Sequence, residues 1–199
     1  MELVDNLPEL ESVLSDLQQQ NVVRRIWQGD HTVWKPDPTE ITDRLGWLTV
    51  TDTMQEQIPA LQNLAKDVKE AGFRYVVLLG MGGSSLGPEV LRRTFGSAPG
   101  YTELIVLDST APAWVQSVAD AIDLARTLFV VSSKSGSTIE LTSFYAHFCG
   151  LLEVAVGEGQ AGQHFVAITD PGTALEKLAS AANFRRALLN PPDIGGRYS

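Results

Sequence analysis

The sequence is poor in cysteine, in histidine and in positive charge. Its one cysteine, Cys149, cannot close an intrachain disulfide, so no such staple supports the fold and a reducing, cytoplasmic compartment fits. Set in an apolar helical pattern, that thiol reads as a small packed side chain. Three histidines, His31, His147 and His164, are scattered over 199 residues. The pair Asp30-His31 has no second His or Cys nearby, so no metal site is expected. With 15 Lys and Arg against 24 Asp and Glu, the net charge is -9. That balance argues against nucleic acid or an anionic membrane as the main partner, yet leaves room for a small anion in a locally positive pocket. No apolar run approaches the roughly 18 residues of a membrane span. Residues 1–10 have neither the basic nor the apolar region of a signal peptide. Solenoid repeats and low-complexity tracts are absent as well.

What is present is an ordinary globular composition, 44% hydrophobic, with a repeating alternation of short apolar runs and helical patterns. Leu3, Leu7, Leu10, Val13, Leu14 and Leu17 recur at helical spacing, which predicts a first helix over 3–20. Residues 21–50 lack a period; Trp27, Trp34 and Trp47 stand among Gly and Pro, as in an irregular arm pinned by aromatic packing. A second helix is expected over 51–71, with Met54, Ile58, Leu61, Leu64, Ala65 and Val68 as its apolar stripe. Strands then follow at 75–79, 103–107, 127–131 and 165–168, with a short one near 184–188. Helices are expected between them at 88–95, 113–121, 138–154 and 174–181, and a flexible connection at 157–163. Continuous apolar strands alternating with helices indicate an α/β fold, a mainly five-stranded parallel sheet in a three-layer αβα arrangement. The domain reading is an arm over 1–50 and an α/β domain over 51–199.

Three stretches carry chemistry. The first is Gly80-Met81-Gly82-Gly83-Ser84-Ser85-Leu86-Gly87, between a strand and a helix opened by Pro88. Glycines let backbone amides approach an anion at a helix start, and the serines add hydroxyl donors; a tight turn with a capping serine is the plainer alternative. The stretch also half-matches the dinucleotide pattern G-x-G-x-x-G, with Ser85 at the third glycine and Asp108 at the end of the next strand, so an oxidoreductase domain stays open. The second is Ser132-Ser133-Lys134-Ser135-Gly136-Ser137-Thr138: five hydroxyls and one lysine in seven residues offer donors and a point charge to a phosphate. It lacks P-loop spacing, and Ser137 with Glu140 would also fit a capping box. The third is Asp193-Ile194-Gly195-Gly196-Arg197-Tyr198-Ser199, where two glycines could hold an arginine close to developing negative charge; taken alone, a turn with a surface arginine is the default reading. The chain stops there without helix, cap or strand and reads as cut through a motif.

In this order, G-M-G-G-S-S-L-G-P, S-S-K-S-G-S-T-x-E and G-G-R-Y-S resemble the glucose-6-phosphate isomerase family, whose first two motifs lie on a sugar-isomerase (SIS) domain. The run 26–34, I-W-Q-G-D-H-T-V-W, is similar to isomerase regions fused to transaldolase. The resemblance implies phosphate binding by Ser84, Ser133, Lys134, Ser135 and Thr138, backbone contacts from Gly83 and Gly196, and a catalytic Arg197 steadying an enediolate-like intermediate. It implies glucose 6-phosphate and fructose 6-phosphate as ligands, no metal or organic cofactor, and a cytoplasmic parent that is a homodimer or a transaldolase fusion. Two departures stand out. Ser85 replaces a common Asp, and Ser135-Gly136-Ser137 replaces a Thr-rich run. The family's glutamate base, histidine and lysine match no position here, so the fragment is expected to bind with little turnover. A non-catalytic SIS sensor is the alternative.

Overall fold

The computed structural model describes residues 7–195. The expected helix start at 3–6, together with Gly196 and Arg197, therefore lies outside the described residues. The chain divides into two compact units, Met1–Thr51 with Asp193–Gly195, and Asp52–Pro192.

The first unit contains α1 (Leu7–Gln19), α2 (Val22–Trp27) and three single 3-10 turns. The short α2 was hidden in the sequence because six residues are too few to show a period. Arg25 organises the turn after α2: its Nε meets Asp30 at 2.8 Å and its Nη2 donates to Thr32 at 2.7 Å. Asp30 in turn accepts from the Thr32 amide at 2.9 Å and starts a 3-10 turn. The Thr32 and Arg25 hydrogen bonds hold the Asp30 carboxyl down at about 2. Asp30 is thus a turn residue, and the His31 ring meets the Pro36 carbonyl at 3.1 Å. In this unit Trp27, Trp34 and Trp47 are 65%, 46% and 41% exposed.

The second unit is a three-layer α/β domain. Its sheet is parallel throughout, in the order β2-β1-β3-β4-β5. The strands are β1 (Tyr75–Gly80), β2 (Glu103–Leu107), β3 (Thr127–Ser132), β4 (Phe165–Thr169) and β5 (Arg186–Leu189). Side chains alternate between faces. Val77, Leu79, Phe129, Val131, Phe165 and Ala167 face one layer, formed by α5 (Pro112–Ala121), α6 (Ile139–Val156) and α7 (Ala174–Ala181). Phe129 anchors that core between Phe148, 4.6 Å away, and Phe165, 5.5 Å away. The opposite face, including Leu128 and Val166, packs on Leu64 and Val68 of α3 (Val50–Glu70). Only this C-terminal part of the α3 stripe is covered, while Met54, Ile58 and Leu61 stay 37–47% exposed.

Two elements differ from expectation in ways that bear on function. Helix α4 spans Gly83–Phe95, so it begins inside the glycine loop and Pro88 is interior. Pro88 forgoes one amide bond, to the Ser84 carbonyl a turn back, which a first-turn position would have spared. Helix α6 is long and apolar enough to cross a bilayer, contrary to the expectation that no run is. Its apolar residues Leu141, Phe144, Phe148 and Leu152 are buried against the sheet. The connection at 157–163 is also less loose than expected. It closes with a 3-10 turn, Ala161–His164, in which a Cβ on Gly162 would come within 1.9 Å of the Ala182 carbonyl.

Candidate functional site

The register places the first two motifs side by side. Gly80 at the end of β1 is paired with Ser132 at the end of β3. After β1 the chain turns to one face of the sheet as α4, and after β3 to the other face as α6. Adjacent parallel strands whose helices diverge to opposite faces leave a crevice at their carboxyl ends, the ligand position in open α/β sheets. Both donor-rich loops border that crevice.

The first loop turns on Gly82, whose φ of 55° and ψ of -120° suit glycine alone. Gly80 is closely packed as well, since a Cβ there would meet the Ser84 carbonyl at 3.1 Å. The amides of Ser84, Ser85 and Leu86 bond back to Met81 and Gly82 carbonyls at 3.0–3.2 Å. The Gly83 amide, first in α4, has no acceptor among the described residues. Ser84 is half-buried beside it. Ser85 is 1% exposed and its hydroxyl donates to the Gly82 carbonyl at 3.1 Å, so it braces the turn from behind. A dinucleotide turn would have glycine there for close helix–strand packing.

The second loop is folded on itself. Ser133 is 4% exposed; its Oγ accepts from the Gly136 amide at 3.1 Å and lies 3.1 Å from the Thr138 hydroxyl. Whichever of the two hydroxyls donates, the pair retains one proton for a ligand. Ser135 is exposed, and its Oγ accepts from the Ser137 amide and hydroxyl at 3.4 and 3.2 Å, leaving its own proton free. Thr138 is the N-cap of α6 without a side-chain cap bond, because its hydroxyl is turned to Ser133. The Ser137–Glu140 capping box expected from sequence is therefore not formed. A side-chain cap does form at α7, where Thr173 accepts from the Glu176 amide at 3.2 Å and Glu176 accepts from the amide of Gly172, one residue before the cap, at 2.5 Å.

Lys134 is present in the loop but does not offer a free charge. Its ammonium is paired with the Asp170 carboxylate and donates to the Pro192 carbonyl at 3.2 Å. Sequence reasoning missed Asp170 entirely. Its partner is 36 positions earlier, and nothing local marked it.

Neither His147 nor His164 borders the crevice. The His164 ring meets the Thr127 carbonyl at 2.9 Å, at the opposite end of β3. His147 is exposed on α6, edge-on to Phe148, and His31 belongs to the first unit. Cys149 is half-buried, 3.7 Å from the Tyr145 hydroxyl, and burial pushes its thiol up. Among the described residues no group of His, Cys, Asp and Glu could hold a metal ion.

The phosphoglucose isomerase family matches residues 46–199, which include both loops. The chain belongs to that family. Glucose-6-phosphate isomerase of Carboxydothermus hydrogenoformans is 31% identical over 166 residues, covering 78% of this chain and 35% of the relative. That of Staphylococcus saprophyticus is 31% identical over 189 residues, covering 92% and 41%. Among solved structures, a hypothetical protein from Thermus thermophilus superposes with a TM-score of 0.75 at 28% identity, over 98% of this chain and 44% of its own. A glucose-6-phosphate isomerase from Chlamydia trachomatis superposes with a TM-score of 0.64 at 26% identity, over 89% and 32%. As a phosphoglucose isomerase family member, this chain spans less than half the length of each of these relatives.

Proposed function

We propose that this chain is the sugar-phosphate-binding part of a glucose-6-phosphate isomerase. The observation that supports this reading is the pairing of Gly80 with Ser132, which sets two donor-rich loops on adjacent strands of a fold whose family acts on such substrates. The phosphate is held by hydroxyls of Ser84, Ser133, Ser135 and Thr138 and by the Gly83 amide, with the α6 N-terminus adding its favourable dipole. Lys134 contributes through its place in the second loop. Gly196 and Arg197 approach the sugar, where the guanidinium steadies negative charge that builds on oxygen as a proton moves between C2 and C1. That transfer needs a positioned base. In this reading the base, with the histidine and lysine that open the sugar ring, comes from the rest of a longer, cytoplasmic polypeptide or from its partner in a homodimer. Residues 26–34 bring fusion to transaldolase into the same proposal. The chain by itself binds and does not turn over.

Titration of the isotope-labelled chain with glucose 6-phosphate, inorganic phosphate and glucose tests this. Amide resonances of 82–85 and 133–138 should shift with the first two and not with glucose. A coupled assay should show no conversion to fructose 6-phosphate. Absence of a response to glucose 6-phosphate would overturn the binding assignment, and measurable isomerisation would overturn the missing base.

A further inference from the structure

The loops that follow β3, β4 and β5 are tied together at one point, and that point is Lys134. Its carbonyl accepts from the Asp170 amide at 3.3 Å and from the Thr169 hydroxyl at 3.5 Å. The preceding Ser133 amide donates to the Ile168 carbonyl at 2.9 Å. From the side-chain end, the ammonium joins the Asp170 carboxylate, which opens the β4–α7 loop, to the Pro192 carbonyl beyond β5. Gly136 rests against the same α7 start, where a Cβ would come within 2.6 Å of the Thr173 Cβ. The ion pair is largely sheltered, with side-chain exposures of 18% for Lys134 and 15% for Asp170. The second carboxylate oxygen of Asp170 is buried and has no hydrogen-bond partner among the described residues.

These contacts count against a phosphate ligand. Two of the three ammonium protons are engaged within the protein, and the charge is neutralised by a sheltered carboxylate. Turning Lys134 toward a phosphate would strand Asp170 as a buried carboxylate with neither partner nor compensating charge. We infer that Lys134 and Asp170 form a positioning pair for the sugar-phosphate site. The pair fixes the path of the β3–α6 loop against the β4–α7 loop, so that Ser133, Ser135 and Thr138 present their hydroxyls in one arrangement, and it does not itself touch the phosphate. The inference rests on the sugar-phosphate reading above and deepens it, because the anion is then recognised by neutral donors and helix amides.

The two roles predict opposite signs. Asp170→Asn removes the neutralising charge and makes the site more positive. If Lys134 were a ligand, affinity for inorganic phosphate and glucose 6-phosphate would rise; as a positioning pair, both affinities fall roughly tenfold, the worth of one charged hydrogen bond. Lys134→Met weakens binding in either case, and the double variant Lys134→Met/Asp170→Asn recovers affinity over Lys134→Met, since it removes the stranded carboxylate. The wild-type chain supplies a measurement that needs no variant to fold. The Lys134 Nζ resonance stays in place on adding inorganic phosphate if the pair positions the loop and moves if the ammonium is a ligand. A rise in affinity in Asp170→Asn, no recovery in the double variant, or a phosphate-induced Nζ shift overturns the proposal. If the wild-type chain binds neither anion, the sugar-phosphate reading fails on its own. The pair is then judged by amide exchange across 133–138, which accelerates in Asp170→Asn if it holds the loop and stays unchanged if it does not.

Discussion

Gly136 shows how narrowly one residue can set the second loop. Its φ of +65° is a conformation L side chains rarely adopt, and an added Cβ would lie 2.6 Å from the Thr173 Cβ and 3.0 Å from the Leu175 amide. Gly136→Ala should therefore destabilise the chain by about 1–3 kcal/mol, measured as a lower urea midpoint, and should weaken phosphate binding more than a distant change of equal stability cost. The loop's hydroxyls and glycine were legible in the sequence because they are neighbours along the chain. The partner of Lys134 was not, because Asp170 meets it only through the register of β3 with β4. Capping shows the same limit at close range. Ser137-x-x-Glu140 and Thr173-x-x-Glu176 both fit the pattern, and only the second makes a side-chain cap bond, since the Thr138 hydroxyl at the start of α6 is engaged with Ser133.

Helices were legible wherever their apolar period was long. Their starts and the depth of their burial were less so. Pro88 pointed to a helix beginning at that residue, yet α4 starts five residues earlier because the Gly82 turn already aims the chain into helix. Within α4, Glu89 receives Arg92 Nε and Nη2 at 2.8 Å and Arg93 Nε at 2.5 Å. These bonds, that to Arg92 first, hold its carboxyl at about 2, below the ordinary 4.5. A lowered folded value means the favourable term is fully present above pH 4.5 and is lost as pH falls toward 2. In an acid titration the Glu89 carboxyl carbon should hold its charged shift to below pH 3, and the Arg92 side-chain amide should move with it; a midpoint near 4.5 would refute the pairing. The exposed upper stripe of α3 and the exposed tryptophans of the first unit could not be foreseen. Periodicity says which residues share a face, not whether anything covers that face.

At the scale of the whole molecule, burial is concentrated in the centre of one sheet. Val77, Leu79, Phe129, Phe165 and Ala167, on β1, β3 and β4, are fully buried, whereas every described side chain of α1 is exposed. Native-state amide exchange should follow this contrast. The amides of β1, β3 and β4 should exchange only through global unfolding and those of α1 and the first turns of α3 through local opening; comparable protection of α1 would contradict it. The alternation of strands and helices made the parallel sheet readable in advance. The strand order was not readable, because it depends on which edge each crossover chooses.

That order has a consequence during synthesis. The inner strand β1 leaves the ribosome before β2 and well before β3, its other neighbour, which pairs with it from Tyr75↔Thr127 to Gly80↔Ser132 across about fifty intervening residues. A nascent chain ended after α4 has made its glycine turn but has no facing wall. One ended after α5 has an edge ribbon of two strands. The anion crevice comes into being only when β3 docks on the far side of β1, so ligand present during translation can act from that docking onward and on nothing earlier.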